Sequence, residues 1–286
     1  MPRLVNKACP LCGSEDFKLL KKASYSFGKC RQCGLYFLNP FPEFDKQELE
    51  AFYHNYDINQ GYIQDFADYE EDFKISLKKK LRVASAFNKY LVAGNRIRLL
   101  DIGCGSGLYV KAANDLGLMG FGVDVDKDAC QFGRSLGLKI FQGELSEAAF
   151  PDEHFDVILI KQVLEHISSP VDFMREVNRI LKYRGLCIID VPNQAGLIPK
   201  LKVLVNRPRE EYGFLQPLKH LYAFNRKSLA YLLVKTGFSV KKVITSYPGD
   251  KTYYPIHGQG LWQKMVFRLS GAIGLGSVLV MYAMKD

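Results

Sequence analysis

The sequence predicts an α/β fold built on a Rossmann-like sheet of seven mostly parallel strands with an antiparallel last strand. Apolar segments of strand length alternate with helical segments between residues 97 and 193, a pattern typical of parallel sheets with right-handed crossovers. A glycine-rich turn follows the first of these strands, at residues 103–107. The chain has 286 residues, of which 48% are hydrophobic, and this suffices for one domain of ordinary size plus a small appendage.

The predicted elements follow one another in regular order. Strands are predicted at residues 97–102, 120–126, 139–142, 155–160 and 186–193, with helices at 108–117, 127–136 and 171–181 between them. The apolar segment 274–285 is predicted to pair with residues 239–247 as the antiparallel last strand. Before the sheet, residues 65–93 carry apolar side chains at helical spacing, so we expect a long helix that covers the sheet.

The segment LLDIGCGSG, residues 99–107, is where the first strand breaks into the glycine turn. Its three glycines lack a Cβ, so the chain can turn tightly and a ligand can approach the backbone. Asp101 stands at the strand end. The second strand ends in Asp124, 23 residues later, where a carboxylate can bind ribose hydroxyls. The spacing DxGxGxG and the charge of Asp101 argue against a dinucleotide pyrophosphate and favour a ligand that carries a cation.

This strand, turn and acidic strand end resemble the first motifs of the class I S-adenosylmethionine-dependent methyltransferases. The segments FPDEHFDVI, VLEHISSP and IIDVPN are similar to their later motifs, and residues 220–238 to their post-sheet helix. The resemblance implies that S-adenosylmethionine is the cofactor, that Gly103 and Gly105 contact it, that Asp124 binds its ribose and that Glu144 lies near its adenine. The predicted cofactor-binding residues are Asp101, Gly103, Cys104, Gly105, Gly107, Asp124, Val125, Gly143, Glu144 and Lys161.

Two CxxC pairs stand near the N-terminus, Cys9 with Cys12 and Cys30 with Cys33. This spacing is typical of four thiolates around a tetrahedral Zn²⁺, and a chain without a secretion signal disfavours disulfides. All four positions on the ion are then filled by protein, so the zinc is predicted to be structural. The sequence therefore predicts a small N-terminal zinc ribbon at residues 1–45, a helical connector and cap at 46–96, and the methyltransferase domain at 97–286.

Polar residues follow several of the predicted strands. Ligands of open α/β sheets lie beyond the carboxyl ends of the strands. We therefore expect the polar residues at the strand ends to lie together there. They are Asp101, Asp124, Glu144, Lys161 and Asn193, of which Asn193 is predicted to face the substrate.

Two histidines are candidate bases, because an oxygen or carbon nucleophile usually needs one. His166 follows the fourth strand, and His220 precedes the C-terminal helix. The alternatives are that His166 only caps or braces its loop and that His220 holds a lid, and Glu165 is a third candidate base.

Residues 194–222 form a long connection, and long insertions in compact domains are often functional lids. In it, Arg207, Arg209 and Lys219 are candidate ligands of an acceptor phosphate; an exposed basic loop is the alternative. Residues 195–286 carry 14 basic and 4 acidic side chains, and the whole chain has a net charge of +9. We therefore expect an anionic acceptor or surface nearby, the alternative being a basic surface without a partner.

The ribbon followed by CGLYFLNPFP is similar to a bacterial subgroup of these methyltransferases that modifies sugars, lipids and other secondary metabolites. The predicted activity is methyl transfer to an oxygen or carbon of a small or carrier-linked acceptor, such as a sugar, nucleotide sugar or lipid intermediate. Two alternatives stay open. One is an RNA methyltransferase that uses the ribbon for recognition, and the other is a non-catalytic scaffold.

The sequence also bears on location. The N-terminus lacks the apolar stretch of a signal peptide, and the longest uncharged stretch, residues 269–284, is shorter than the roughly 20 residues of a spanning helix. We therefore expect a cytoplasmic protein without a transmembrane segment. Residues 254–269 are predicted to form an amphipathic helix, for which core packing and contact with a membrane surface both stay open.

Overall fold

The computed structural model describes residues 3–5, 8–22, 25–43, 48, 66–88, 97–197, 220–246 and 274–286. Its strands are β1 (Arg3–Val5), β2 (Phe17–Lys22), β3 (Tyr25–Cys30), β4 (Tyr36–Leu38), β5 (Phe41–Glu43), β6 (Arg98–Ile102), β7 (Met119–Asp124), β8 (Ile140–Gln142), β9 (Phe155–Lys161), β10 (Leu181–Pro192), β11 (Tyr222–Ala223), β12 (Phe238–Ser246) and β13 (Val278–Lys285). Its helices are α1 (Phe66–Ser85), α2 (Leu108–Asp115), α3 (Lys127–Ser135), α4 (Pro170–Ile180) and α5 (Arg226–Lys235). The predicted amphipathic helix at 254–269 and most of the predicted lid lie outside the described residues.

The main sheet has seven strands in the order β12-β13-β10-β9-β6-β7-β8. The pairs from β10 to β8 are parallel, whereas β13 is antiparallel to both of its neighbours, β10 and β12. The predicted fold class is therefore confirmed. Strand β10 begins earlier than predicted, because a register shift between Leu181 and Leu186 joins an extra segment to the ladder with β9.

Each face of this sheet has its own core, as strand alternation requires. In β9, Ile158 and Ile160 belong to the cluster on one face, and Val157 and Leu159 belong to the cluster on the other. The first face also packs against α4, α5 and the cysteine-rich segment. The second face packs against α1 and α2. Both faces are covered, which explains the unbroken apolar runs of the central strands.

Three helices begin at residues that favour a helix N-terminus. The Asp126 carboxylate caps α3 by accepting a hydrogen bond from the Ala129 amide at 2.9 Å. Asn225 and Ser228 form a capping box at the start of α5. Helix α4 has a proline in its first turn, where the missing N–H costs nothing.

The N-terminal segment is joined to the main domain by backbone pairing. Its antiparallel sheet runs β2-β3-β4 and is completed by β11, which comes from the C-terminal part of the chain. The Leu38 amide donates to the Leu221 carbonyl at 3.1 Å. Two side chains add to the contact: Asn225 donates to the Gly34 carbonyl at 2.6 Å, and Lys235 donates to the Leu11 carbonyl at 2.6 Å.

Helix α1 covers the second face of the sheet, as its apolar spacing predicts. Its Lys80 donates to Asp190 on β10 at 2.8 Å, with both side chains 2% exposed. Residues 46–65, in the predicted connector, lie outside the described part of the chain apart from residue 48. None of the helices in the described part has the length and apolar character needed to cross a bilayer.

Candidate active site

A cavity of about 750 Å³ opens at the carboxyl ends of the parallel strands, the place where open α/β sheets bind ligands. Its volume is in the range of cofactor and ligand pockets. Nine of the predicted cofactor residues line it: Asp101, Gly103, Cys104, Gly105, Asp124, Val125, Gly143, Glu144 and Lys161. The tenth, Gly107, precedes α2 and lies outside the lining. The cavity therefore brings together residues from four strand ends.

The glycine turn forms one wall of the cavity with bare backbone. Gly103 has a φ of +72°, and a Cβ at this position would lie 2.3 Å from the Cγ2 atom of Val163. Its amide donates to the Val123 carbonyl at 2.8 Å, which fixes the turn against β7. Both the left-handed backbone and the lack of space require glycine here.

Asp124 holds the turn to the end of β7. One of its carboxylate oxygens accepts from the Gly105 amide at 2.6 Å, and the other accepts from the Asp126 amide at 2.9 Å. A carboxylate offers about four lone-pair sites, so capacity remains for hydroxyl donors. Burial raises the pKa of Asp124, and the backbone donors oppose that rise. The side chain is thus oriented before any ligand binds.

A carboxyl group and an amine share the inner wall. Burial raises the pKa of Asp101, at the end of β6, to about 8, although Lys161 opposes the rise. Burial lowers the pKa of Lys161, at the end of β9, to about 8. The Lys161 ammonium lies 4.8 Å from the ring centre of Phe73 and 5.6 Å from that of Tyr109, distances that allow cation–π attraction. The pair can face the two opposite charges of an amino-acid group.

The ion pair between Lys80 and Asp190 lies behind this wall. The negative charge of Asp190 raises the pKa of Lys161, whereas Lys80 lowers it. One oxygen of Asp190 has no hydrogen-bond partner among the described residues. The buried charges of Lys80 and Asp190 therefore influence the charge of the Lys161 amine in the inner wall.

Glu165, His166 and His220 form a cluster in the cavity wall. The two imidazole rings are 5.0 Å apart between centroids, and one ligand atom of each of the three residues lies within 4.8 Å of the others. Glu165 is 1% exposed, and neither of its carboxylate oxygens has a hydrogen-bond partner in the described part of the chain. Burial raises its pKa to about 8. The sequence predicted each of these residues separately, and the structure brings them together.

The structure describes only one of the four residues that were predicted to bind substrate. Asn193 lies outside the cavity lining, and its amide donates to the Gly276 carbonyl at 2.7 Å. Its side-chain oxygen accepts from the Ala195 amide at 3.1 Å, so the residue braces the loops that follow β10. Arg207, Arg209 and Lys219 lie outside the described residues, and their role stays a prediction.

Sequence reasoning missed several residues of the cavity wall. Gln162 has a left-handed backbone with φ of +54°, which is costly for a residue with a side chain and is common at functional sites. Its side-chain nitrogen and the Ser277 hydroxyl are buried without hydrogen-bond partners among the described residues. No sequence pattern marks either position. Phe73 lies in the segment 65–93, whose apolar spacing predicts only a helix that covers the sheet.

The four N-terminal cysteines form a compact cluster. The sulfur atoms of Cys9 and Cys33 are 3.4 Å apart, and those of Cys12 and Cys30 are 3.5 Å apart. Disulfide sulfurs lie at about 2.05 Å, so these cysteines are unlinked. Zn–S bonds of about 2.3 Å in a tetrahedron separate the sulfurs by about 3.8 Å. The cluster is therefore nearly tetrahedral and has the right size to hold zinc.

Known proteins resemble this chain over most of the main domain. Residues 69–243 match the model of a family described as "Methyltransferase domain". The chain is 27% identical to an uncharacterized protein of Methanocaldococcus jannaschii over 62% of this chain and 78% of that protein. It is 29% identical to a probable S-adenosylmethionine-dependent methyltransferase of Mycobacterium tuberculosis over 49% of this chain and 48% of that protein. It is 30% identical to a ubiquinone biosynthesis O-methyltransferase of Glaesserella parasuis over 53% of this chain and 66% of that protein.

Solved structures show the same fold. A SAM-dependent methyltransferase from Archaeoglobus fulgidus superposes with a TM-score of 0.50 at 20% identity, over 77% of this chain and 99% of that one. A chain from the complex between the Haloferax volcanii Trm112 methyltransferase activator and the putative methyltransferase has a TM-score of 0.54 at 17% identity, over 84% of this chain and 98% of that one. At these identities the likeness concerns the fold alone.

Proposed function

The chain belongs to the methyltransferase family whose model it matches, and from this premise we propose that it methylates an oxygen of a small or carrier-linked acceptor. The acceptor class is a sugar, nucleotide sugar or lipid intermediate. One observation carries the proposal: a single cavity contains both the glycine turn with Asp124 and the two histidines that can take up a proton.

S-adenosylmethionine is the cofactor of this family, and when bound it supplies a methyl group on a sulfonium, a leaving group that is already activated. We propose that the backbone of Gly103 and Gly105 contacts it and that Asp124 accepts hydrogen bonds from its ribose. Glu144 would lie beside the adenine. Asp101 and Lys161 would face the amino-acid end, the carboxyl toward the ammonium and the amine toward the carboxylate.

The histidines support an acceptor that must lose a proton. In-line methyl transfer needs alignment of donor and acceptor, and a hydroxyl acceptor must also lose its proton. The rings of His166 and His220 both line the cavity, so either can receive that proton. The O-methyltransferase name of one relative supports the same chemistry. The 14 basic side chains of residues 195–286 support an anionic acceptor.

For the N-terminal cluster we propose a structural Zn²⁺ held by Cys9, Cys12, Cys30 and Cys33. Its support is the sulfur spacing together with the small size of the segment, which has little core of its own and gains stability from a metal. Metal analysis of the purified protein should give one zinc per chain. Cys12→Ser should lose it, whereas Cys130→Ala should keep it because that thiol lies on α3.

Calorimetry with S-adenosylmethionine tests the cofactor half of the proposal. Asp124→Asn should weaken binding roughly tenfold, a change of about 1.4 kcal/mol, because an amide turns one acceptor into a donor. Asp115→Asn, on α2 and paired with Lys111, is the matched control and should bind normally. Absence of binding by the wild-type protein would instead support a scaffold.

A methyl-transfer screen tests the acceptor half. The zinc-loaded protein is incubated with radiolabelled S-adenosylmethionine and with nucleotide sugars, lipid intermediates or RNA. We expect transfer to a sugar or lipid acceptor and loss of transfer in His166→Ala or His220→Ala. Transfer to RNA alone, with a steep dependence of RNA binding on salt, would replace this proposal with the RNA alternative.

A further inference from the structure

We infer that Glu165, His166 and His220 bind one divalent first-row transition-metal ion in the cavity wall, with coordination positions left open for an acceptor oxygen. This inference rests on the proposed function, because it assigns the group that recognises and activates the acceptor. It is separate from the cysteine cluster, which lies in the N-terminal segment and has four sulfur donors.

The buried carboxylate of Glu165 is the first observation. A carboxyl group that is 1% exposed and has no hydrogen-bond partner in the described part of the chain is costly, since a buried polar group normally finds a partner. The lining of the cavity includes this residue. A cation bound at the carboxylate would supply the missing interaction.

The distances within the cluster are the second observation. One ligand atom from each of the three residues lies within 4.8 Å of the other two. Metal–nitrogen and metal–oxygen bonds of about 2.1 Å place two ligands of a tetrahedral ion about 3.4 Å apart. A pair at the 4.8 Å limit would therefore have to close by about 1.4 Å through side-chain rotation when the ion binds.

The donor set selects the kind of ion. Two imidazoles and one carboxylate suit Zn²⁺, Mn²⁺ or Fe²⁺, whereas Ca²⁺ and Mg²⁺ prefer oxygen ligands. Three protein ligands leave one or more positions free, which is the arrangement of catalytic sites, in contrast to closed structural ones. Because the three residues line the cavity, these free positions are accessible to a bound acceptor.

Backbone contacts fix the relative position of the ligands. The Glu165 carbonyl accepts hydrogen bonds from the Leu221 amide at 2.8 Å and from the Tyr222 amide at 3.3 Å. These bonds hold the segment after His220 beside the turn that carries the other two ligands. The turn itself is closed by the His166 amide, which donates to the Val163 carbonyl at 2.9 Å. The site is thus largely formed before an ion binds.

The ion would act on the acceptor hydroxyl as a Lewis acid. Coordination lowers the pKa of a hydroxyl. With both histidines holding the ion, they act as its ligands and not as the base, and the proton of the hydroxyl passes to water in the open cavity. An oxygen lone pair then forms the new O–CH₃ bond while the S–CH₃ bond breaks and its electron pair returns to sulfur. The products are the methyl ether, a proton and the neutral thioether of the spent cofactor. No oxidant or reductant is needed.

Manganese binding tests the inference, because Mn²⁺ has a paramagnetic signal and, as a hard ion, competes poorly for the four thiolates. Wild-type protein loaded with one zinc per chain, which the four thiolates take up, is titrated with MnCl₂ and followed by electron paramagnetic resonance. We expect one Mn²⁺ per chain with full retention of zinc. Glu165→Gln, His166→Ala and His220→Ala should each weaken Mn²⁺ binding roughly tenfold or more.

Glu176→Gln is the matched control, because this glutamate also lines the cavity but has Arg179 as a partner at 2.6 Å. It should bind Mn²⁺ as the wild type does. Zinc content and S-adenosylmethionine affinity, measured on every variant, report correct folding. If one ligand variant misfolds, the other two still decide the matter.

The outcomes separate this inference from the proposed function. Wild-type protein that takes up no Mn²⁺, or ligand variants that bind it as tightly as Glu176→Gln, would overturn the metal site while leaving methyl transfer intact. Stoichiometric Mn²⁺ binding that depends on all three residues supports the site, even if every sugar and lipid acceptor in the screen fails.

Discussion

Phe37 on β4 and Tyr222 on β11 are directly opposite each other in one antiparallel ladder, although 185 positions separate them in the sequence. Tyr222 lies two residues after His220, and its hydroxyl donates to the Ser168 carbonyl at 2.8 Å. The cysteine-rich segment is therefore in backbone contact with the segment that carries one of the two cavity histidines, His220. That segment is in turn hydrogen-bonded to the loop that follows the other, His166.

Loss of the proposed zinc should therefore impair methyl transfer more than cofactor binding. Without the ion the segment loses its main constraint, β4 no longer holds β11, and His220 shifts. A misplacement of about 1 Å can cost roughly 100-fold in rate. We expect a fall of that order in kcat with the acceptor after chelation of zinc, while calorimetry should show nearly unchanged affinity for S-adenosylmethionine.

Readdition of zinc should restore the rate, which excludes irreversible damage by the chelator. Equal losses of cofactor affinity and of kcat would mean that the segment supports the whole domain and not the histidine in particular.

Gly103→Ala should weaken S-adenosylmethionine binding roughly tenfold or more, equivalent to about 1.4 kcal/mol. The added Cβ would lie 2.3 Å from Val163, at a φ of +72°, so the turn must move. Calorimetry measures the effect.

Gly117→Ala is the matched control, because its φ is +77° and no atom of the described residues lies within 4 Å of the added Cβ. It should cost about 1–3 kcal/mol of stability through backbone strain alone and leave cofactor affinity unchanged. Equal affinity losses in both variants would show that strain, and not the wall of the cavity, is responsible.

Lys80→Met should lower the free energy of unfolding by about 3–5 kcal/mol, because it leaves the Asp190 carboxylate buried without its partner. Urea denaturation gives the value. Lys111→Met removes a more exposed pair with Asp115, whose side chains are 32% and 30% exposed, and should cost under about 1 kcal/mol. The double variant Lys80→Met with Asp190→Leu should recover much of the loss; a double variant as unstable as the single one would argue against an isolated ion pair.

The stability of the cofactor-free protein should depend on pH through Asp101. Its pKa is raised by burial from 3.8 to about 8, so between these values the folded state holds a proton that the unfolded state has lost. The free energy of unfolding therefore falls as pH rises from about 4 to about 8. Urea denaturation at a series of pH values measures this fall, which Asp101→Asn should reduce.

If Asp101→Asn has the same slope as the wild type throughout this range, the carboxyl is not protonated in the folded protein.

The sequence alone determined the order of strands and helices, because the spacing of apolar residues and the positions of glycines are local properties of the chain. It also determined the glycine turn, the acidic end of β7 and the two CxxC pairs, because each of these motifs is recognised by the spacing of its residues. Tertiary structure decided the rest. Three contacts join residues that are distant in the sequence, and no local pattern encodes them. They are the pairing of β4 with β11, the ion pair of Lys80 with Asp190, and the cluster in which His220 meets Glu165 and His166. The Glu165 carboxylate has no hydrogen-bond partner among the residues that the structure describes. This property arises only when the chain has folded, since burial depends on all the neighbours at once.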